Sequence, residues 1–205
     1  MKLPAKKGWT LTEMFHAMER QQLTCLYVVG ENPAQSEADG LHALGLLKGL
    51  EHLVVQDIFL TRTAQLADVV LPATASWCEA EGTVTNSERR VQRCHAALTP
   101  PGQARDDIAL LCALAKRLGR DLGIEGPEQA WEELRSLSPM HRGMSWARLD
   151  AEKGIQWPCG SDDHPGTPFL HGRLWADPVE GPKAAFHPSE NRAPEPTMRW
   201  ASFCT

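Results

Sequence analysis

Three short apolar runs, each stopping abruptly on polar residues, dominate the first seventy positions. Residues 23–29 (LTCLYVV) stop at Gly30-Glu31-Asn32. Residues 52–55 stop at Gln56-Asp57, and residues 68–71 stop at Pro72. Apolar runs without period-two alternation mark strands buried on both faces. Between them the spacing turns helical. Residues 9–20 put Met14, Phe15 and Met18 on one face, with Thr10 or Thr12 available as a cap. Residues 35–49 predict a helix with Leu41, Leu44, Leu46 and Leu47 inward, and residues 62–67 a short helix or turn. Strands alternating with helices pair in parallel, because each crossover returns the chain to the same edge. Three strands are few for an independent sheet, so further chain is expected to complete it.

Beyond Pro72 the pattern weakens. Residues 82–85 read as a short strand, and the rest of 76–93 as ordered loop. Residues 103–118 form the clearest helix, with Ile108, Leu111, Cys112, Leu114, Ala115 and Leu118 in helical register and Gly119 as its C-cap. A second helix follows Pro127, with Trp131, Leu134 and Leu137 inward, and a third covers 145–153. From Gly154 onward the chain holds eight of its fifteen prolines, which excludes regular structure over most of that stretch. Trp157, Phe169, Leu170, Leu174, Trp175 and Phe186 make it too apolar for a solvated linker, so it reads as an ordered extension wrapping another surface. The fold class is α/β: a partial Rossmann-like parallel sheet with flanking helices, then helices and a Pro-rich extension.

Composition narrows the partners. A net charge of −5 over 205 residues argues against a nucleic-acid binder, which carries a basic stripe. No apolar run is long enough to insert in a membrane, and the first ten residues lack the apolar core of a secretory signal. Cys25, Cys78, Cys94, Cys112, Cys159 and Cys204 contain no C-x-x-C pair. They read as free, mostly buried thiols of a reducing compartment, and no metal ligand set is apparent.

The candidate chemistry sits where the strands end. Gly30-Glu31-Asn32, Gln56-Asp57 and Pro72-Ala73-Thr74 become neighbours in a parallel sheet, at the edge where such sheets bind ligands. Backbone amides backed by a helix amino terminus suit a phosphate or pyrophosphate. Asp57 can accept two hydrogen bonds from a guanine edge or a ribose. Equally, Asn32 and Asp57 can simply cap the helices that follow, and spacing alone does not separate the two. No G-x-G-x-x-G supports a standard nicotinamide or flavin site. Glu79 and Glu81 are expected to pair with Arg89, Arg90 or Arg93 rather than act as acid and base. Asp106-Asp107 favour the dipole of the helix they open, and nothing resembles a nucleophile with its own base.

VVGENP, VVQDIFLTRTAQLADVVLP, EAEGTVTNSERRVQ and PPGQARDD, in this order, resemble the molybdopterin-guanine-dinucleotide oxidoreductases. Within them the match is to the large subunit of molybdenum- or tungsten-dependent formate dehydrogenase. GIQWPC followed by HPGTPFLH is typical of that branch and of its nitrate reductase relatives. The resemblance implies a fragment of a longer enzyme that oxidises formate to carbon dioxide by two-electron transfer. Fragment of a nitrate reductase and non-catalytic cofactor-binding module are the alternatives. Residues 8–120 would be part of the dinucleotide-binding domain with its linking segment, 121–153 a helical segment, and 154–205 the start of a carboxy-terminal domain. The cofactor implied is bis(molybdopterin guanine dinucleotide) with molybdenum or tungsten. The parent's [4Fe-4S] cluster would be bound elsewhere, in the missing amino-terminal part of the same enzyme. That part and electron-transfer subunits are the implied partners. Carried over by position, the contacts are Gly30, Glu31, Asn32, Gln56, Asp57 and Asp107, with Thr61 beside them; none is catalytic. The chain alone is expected to be inactive, and its location cytoplasmic, with an export signal a matter for the missing amino terminus. Ala80 and Arg62 depart from the family pattern, which often has lysine or histidine at the first and an acid at the second. The ending, residues 197–205, does not look like the family's continuation and suggests a truncated or frameshifted gene.

Overall fold

Helix α1 (Leu11–Glu19) begins where Thr10 and Glu13 close a capping box, the Thr10 hydroxyl accepting from the Glu13 amide and the Glu13 carboxylate accepting from Thr10. The computed structural model describes residues 6–170, which fall into two units, 6–72 and 73–170. In the first unit β1 (Cys25–Val29), β2 (His52–Asp57) and β3 (Val69–Pro72) form a parallel sheet in the order β1-β2-β3. The register sets Val29 beside Gln56 and Asp57 beside Pro72, so all three strands end together. Alternation then puts Leu26, Val28, Leu53 and Val55 on one face. That face packs on Leu50, Ala64, Leu66 and Ala67. Phe15 and Met18 of α1 pack with Ala43, Leu46 and Leu50 in a neighbouring cluster.

The helix expected over 35–49 is divided. A four-residue turn of helix, α2 (Pro33–Ser36), ends at an extended Glu37, and α3 (Gly40–Lys48) starts afresh. The Asp39 carboxylate caps α3 by accepting from the His42 amide at 3.0 Å. A good N-cap four residues into the predicted helix outcompetes continuous propagation. The segment before β3 is a single 3-10 turn, Ala64–Leu66.

The second unit contains a strand pair the sequence pattern understated. β4 (Gly82–Thr85) was expected, but β5 (Arg90–Cys94) was expected as loop. They run antiparallel, and β6 (Ile155–Gln156) joins the far side of β5. β5 reads RVQRC, with one large apolar residue, Val91, fully buried; the next position on its face is Arg93, a charge folded inward with its side chain only 6% exposed, so period-two alternation is hidden. Helices α4 (Asp107–Arg117), α5 (Pro127–Leu137) and α6 (Trp146–Ala151) complete the unit. Its core is Val91, Trp131, Met144, Leu149, Ile155 and Cys159. Gly119, expected as a C-cap, takes φ +78° just past Leu118, the residue that closes α4.

The two arginine expectations divide. Arg93 pairs with Glu81 and with Asp150, the latter at 2.6 Å, and lies 3.6 Å over the Trp146 ring. Arg89 and Arg90 form no ion pair among the described residues. The Arg89 guanidinium instead donates to the carbonyls of Trp157, Thr167 and Pro168, and Arg90 donates to that of Gly154. Both therefore tie the start of the Pro-rich stretch to β5; main-chain carbonyls need no local charge pattern to signal them. Of the thiols, Cys25, Cys78, Cys94, Cys112 and Cys159 are free, but only Cys159 is buried. Cys204 and the extension from residue 171 lie outside the described residues. Among the described residues no helix is long and apolar enough to cross a membrane.

His141 supplies a pH dependence. Its ring stands edge-on to Trp131 at 5.8 Å and tilted to Trp157 at 6.2 Å, and its Nδ1 shares a 2.7 Å hydrogen bond with the Ser138 hydroxyl. Burial holds its pKa below the usual histidine value. A base with a depressed folded pKa binds fewer protons folded than unfolded, so stability rises with pH across that interval. Thermal stability of the second unit is expected to hold above about pH 6.5 and to fall as the pH drops below it toward the folded pKa. His141→Gln should flatten that part of the slope; an unchanged slope in tryptophan-detected melting would refute the assignment.

Candidate functional site

The carboxyl ends of β1 and β2 are held in one place by a small polar network. Gly30 follows β1 with φ +63°, and its amide donates to the Gln56 carbonyl at 2.8 Å. This left-handed turn suits glycine, and a Cβ built there would meet nothing within 4 Å among the described residues. Open space thus stands in front of the backbone at this point. Asn32, two residues on, turns inward. Its Oδ1 accepts from the Thr63 amide at 3.1 Å and the Thr63 hydroxyl at 2.8 Å, while Nδ2 donates to Gln35. The Thr63 hydroxyl in turn accepts from the Ala34 amide at 3.0 Å. Thr63 is fully buried and joins the first turn to the segment after β2.

Gln56 is also fully buried, and the Tyr27 hydroxyl donates to its Oε1. Diagonal positions on one face of adjacent parallel strands bring these two side chains together. Asp57 is half-buried; its Oδ1 accepts from the Phe59 amide at 2.9 Å, a two-residue Asx turn. Its Oδ2 accepts no hydrogen bond among the described residues. Thr61 is spent locally, its hydroxyl accepting from the Ala64 amide at 3.1 Å. Glu31 is exposed.

Six of the seven residues predicted at the site, Gly30, Glu31, Asn32, Gln56, Asp57 and Thr61, therefore lie around the carboxyl ends of β1 and β2. Asp107 belongs to the second unit, at the first position of α4, where Asp106 supplies the cap by accepting from the Ala109 amide at 3.1 Å. The helix expected behind the Gly30 turn is only the four residues of α2, so the dipole of a full helix does not stand behind that turn. Asn32 occupies the N-cap position of α2 without capping it. The residue that sequence reasoning missed is Thr63. Its signal was the T-R-T spacing, where only the second threonine faces inward. In the second unit Thr74 is 3% exposed, its amide donates to the Arg105 carbonyl, and its hydroxyl has no partner among the described residues. No group of three or more His, Cys, Asp or Glu among the described residues is placed to hold a metal ion.

Chemically, the edge offers a backbone that a ligand can approach without a side chain in the way, and one half-buried carboxylate with an acceptor to spare. The buried Asn32–Thr63 and Tyr27–Gln56 pairs hold these in place. Among the described residues at this edge there is no carboxylate pair and no nucleophile hydrogen-bonded to a base.

Comparison with known proteins gives this edge a context. Residues 1–117 match a family model described as molybdopterin oxidoreductase. The chain is 44% identical over 173 residues to the F420-dependent formate dehydrogenase 2 subunit alpha of Methanococcus maripaludis, covering 83% of this chain and 25% of that one. It is 37% identical over 208 residues to the assimilatory nitrate reductase catalytic subunit of Bacillus subtilis, covering 98% of this chain and 29% of the relative. Among solved structures it resembles acetylene hydratase from Pelobacter acetylenicus, with a TM-score of 0.56 and 25% identity over 71% of this chain and 20% of the other. The chain spans about a quarter of the length of the formate dehydrogenase subunits it matches.

Proposed function

The chain belongs to the molybdopterin oxidoreductase family, and from that premise we propose that it is a segment of a formate dehydrogenase alpha subunit whose sheet edge holds one molybdopterin guanine dinucleotide. Membership of the family implies a molybdenum- or tungsten-pterin cofactor. The two-electron oxidation of formate to carbon dioxide is the chemistry that group supplies when bound. The residues of this chain bind and orient the dinucleotide. Gly30 lets the backbone come close, and Asp57 accepts hydrogen bonds from a guanine edge or a ribose. The Gln56 carbonyl holds the Gly30 turn, Asn32 braces it through Thr63, and Glu31 and Thr61 complete the proposed contacts of this unit; Asp107 is a separate proposed contact in the second unit. The single observation that carries this reading is the open space before Gly30 beside the spare oxygen of Asp57, at the ends of adjacent parallel strands.

The remaining polypeptide of the enzyme, with its [4Fe-4S] cluster, and electron-transfer subunits are the proposed partners. Free thiols suit a cytoplasmic location. Formate as substrate is supported by 44% identity to a formate dehydrogenase against 37% to a nitrate reductase. The nitrate reductase match nevertheless covers more of the chain, which keeps nitrate as the second reading.

Asp57→Ala in the full-length enzyme is expected to lower retained pterin about tenfold, the loss of roughly one charge-assisted hydrogen bond. Formate-dependent dye reduction should fall in proportion. Undiminished pterin would sink the site assignment. Nitrate-dependent oxidation of a reduced dye, without formate oxidation, would sink the formate reading and leave the site standing. Pterin bound by the 205-residue chain alone, without activity, would favour a cofactor-binding module.

A further inference from the structure

Asn32 and Thr63 each stand at the N-cap position of a short helical turn, and neither side chain caps its own turn. At the start of α2 only one donor needs a cap. Pro33 has no N–H, and the Gln35 and Ser36 amides donate to the Asn32 carbonyl at 2.9 and 3.0 Å. The remaining donor is the Ala34 amide, at the second helical position, which an N-cap side chain ordinarily takes. It donates instead to the Thr63 hydroxyl at 3.0 Å, 29 positions away. Ala34 is 1% exposed and Thr63 0%, so water is no substitute for either partner.

This exchange commits both side chains. A hydroxyl has one proton to give, and Thr63 gives it to Asn32 Oδ1 at 2.8 Å while its oxygen accepts from Ala34. Asn32 Oδ1 also accepts from the Thr63 amide at 3.1 Å. Relieved of capping, the Asn32 carboxamide crosses to the loop after β2. The chain leaving β1 is then pinned twice, at Gly30 by its amide on the Gln56 carbonyl and at Asn32 by its side chain. Glycine populates both signs of φ, so the first pin alone leaves the path between them free. The second holds the turn at its φ of +63°. Without the Thr63 hydroxyl the Ala34 amide is buried and unpaired. The local replacement is Asn32 Oδ1 itself in the ordinary N-cap role, and capping there costs the second pin.

We propose that Thr63 is a positioning residue for the dinucleotide: its hydroxyl caps α2 in place of Asn32, and so keeps the Asn32 side chain on the loop after β2 and the Gly30–Asn32 turn in the conformation that binds. Being fully buried, Thr63 does this without touching the ligand. The proposal rests on the reading that this sheet edge holds the dinucleotide.

A pair of variants in the full-length enzyme tests it. Thr63→Val keeps the shape and removes the hydroxyl; Thr63→Ser keeps the hydroxyl and removes the methyl. Retained pterin, read by fluorescence after release and oxidation, is expected to fall about tenfold in the valine variant and to stay within about twofold of wild type in the serine variant. Wild-type pterin in the valine variant, or an equal loss in the serine variant, would overturn the proposal, because the hydroxyl would then not be the group that matters. Site-resolved hydrogen exchange on the wild-type enzyme needs no variant. The Ala34 amide should exchange about 100-fold or more slower than in an unstructured peptide. Free exchange there would show the cap absent and overturn the proposal even where the valine variant does not fold. Asp57→Ala, prepared alongside, separates the two readings. Pterin lost in Asp57→Ala but kept in Thr63→Val removes only the role of Thr63; pterin kept in both removes the binding edge itself.

Discussion

Gly30→Val in the full-length enzyme is expected to abolish retention of the pterin cofactor while leaving the sheet folded. The two effects separate because of what surrounds Gly30. A Cβ added there meets nothing within 4 Å among the described residues, so the turn itself has room for the branch point. The fold loses only the conformational term for an L-residue at φ +63°, about 1–2 kcal/mol. The ligand loses more, because a branched side chain stands in the space through which it would approach the Gly30 backbone. A loss of about 100-fold or greater in cofactor occupancy is expected, equivalent to roughly 2.7 kcal/mol. Gly30→Ala should reproduce the stability loss with a smaller occupancy loss, since its single methyl projects less far. Released pterin is measured by fluorescence after oxidation, and stability by thermal melting. Full occupancy in the valine variant would show that no ligand approaches this turn.

Gly143→Ala is expected to be the most destabilising single methyl addition in the second unit. The added carbon would lie 2.0 Å from the Ser161 carbonyl oxygen, 2.5 Å from its carbon and 2.9 Å from the Cys159 sulfur. Two of these are backbone atoms, which cannot swing aside as a flexible side chain does. They are also held. The Gly143 amide donates to the Cys159 carbonyl at 2.9 Å. The Arg148 guanidinium donates to the carbonyls of Gly143 at 2.8 Å and His164 at 2.7 Å. Relief therefore requires the 159–164 segment to move, and Arg148 to lose partners with it. Overpacking with backbone displacement costs about 3 kcal/mol or more. Trp131, Trp146 and Trp157 all lie in this unit, so tryptophan fluorescence in urea reports it directly. Cys159→Ala in the same background should give little rescue, because the sulfur is the least of the three contacts. A loss below about 1 kcal/mol would show that the segment relaxes freely.

The same contrast runs through the whole chain. The parallel sheet was legible because each strand is a short apolar run and each crossover is local. β2 begins and ends where its apolar run and polar pair do, and Thr10 caps α1 through residues three apart. The strand ends carried the ligand-edge expectation for the same reason: parallel pairing makes successive turns neighbours. The division of residues 33–48 into α2 and α3 was harder to read, because a capping aspartate competes with helix propagation on nearly equal terms.

What each polar side chain does at the edge was not legible. Asn32 reads equally well as a cap and as a ligand contact. Its bonds to Thr63, thirty-one positions away, make it a brace. Gln56 is withdrawn behind Tyr27, twenty-nine positions back. β5 and β6, sixty-four positions apart at Val91 and Ile155, pair only once the chain has returned. Nor does Gly143 announce that Ser161 will lie against it. Local periodicity, capping chemistry and connectivity are short-range, so the sequence by itself determined the parallel sheet, the order of its elements and the family to which its motifs belong. Which polar side chains at the strand ends are taken up by bonds within the fold depends on contacts between distant residues, and only the tertiary structure decided that.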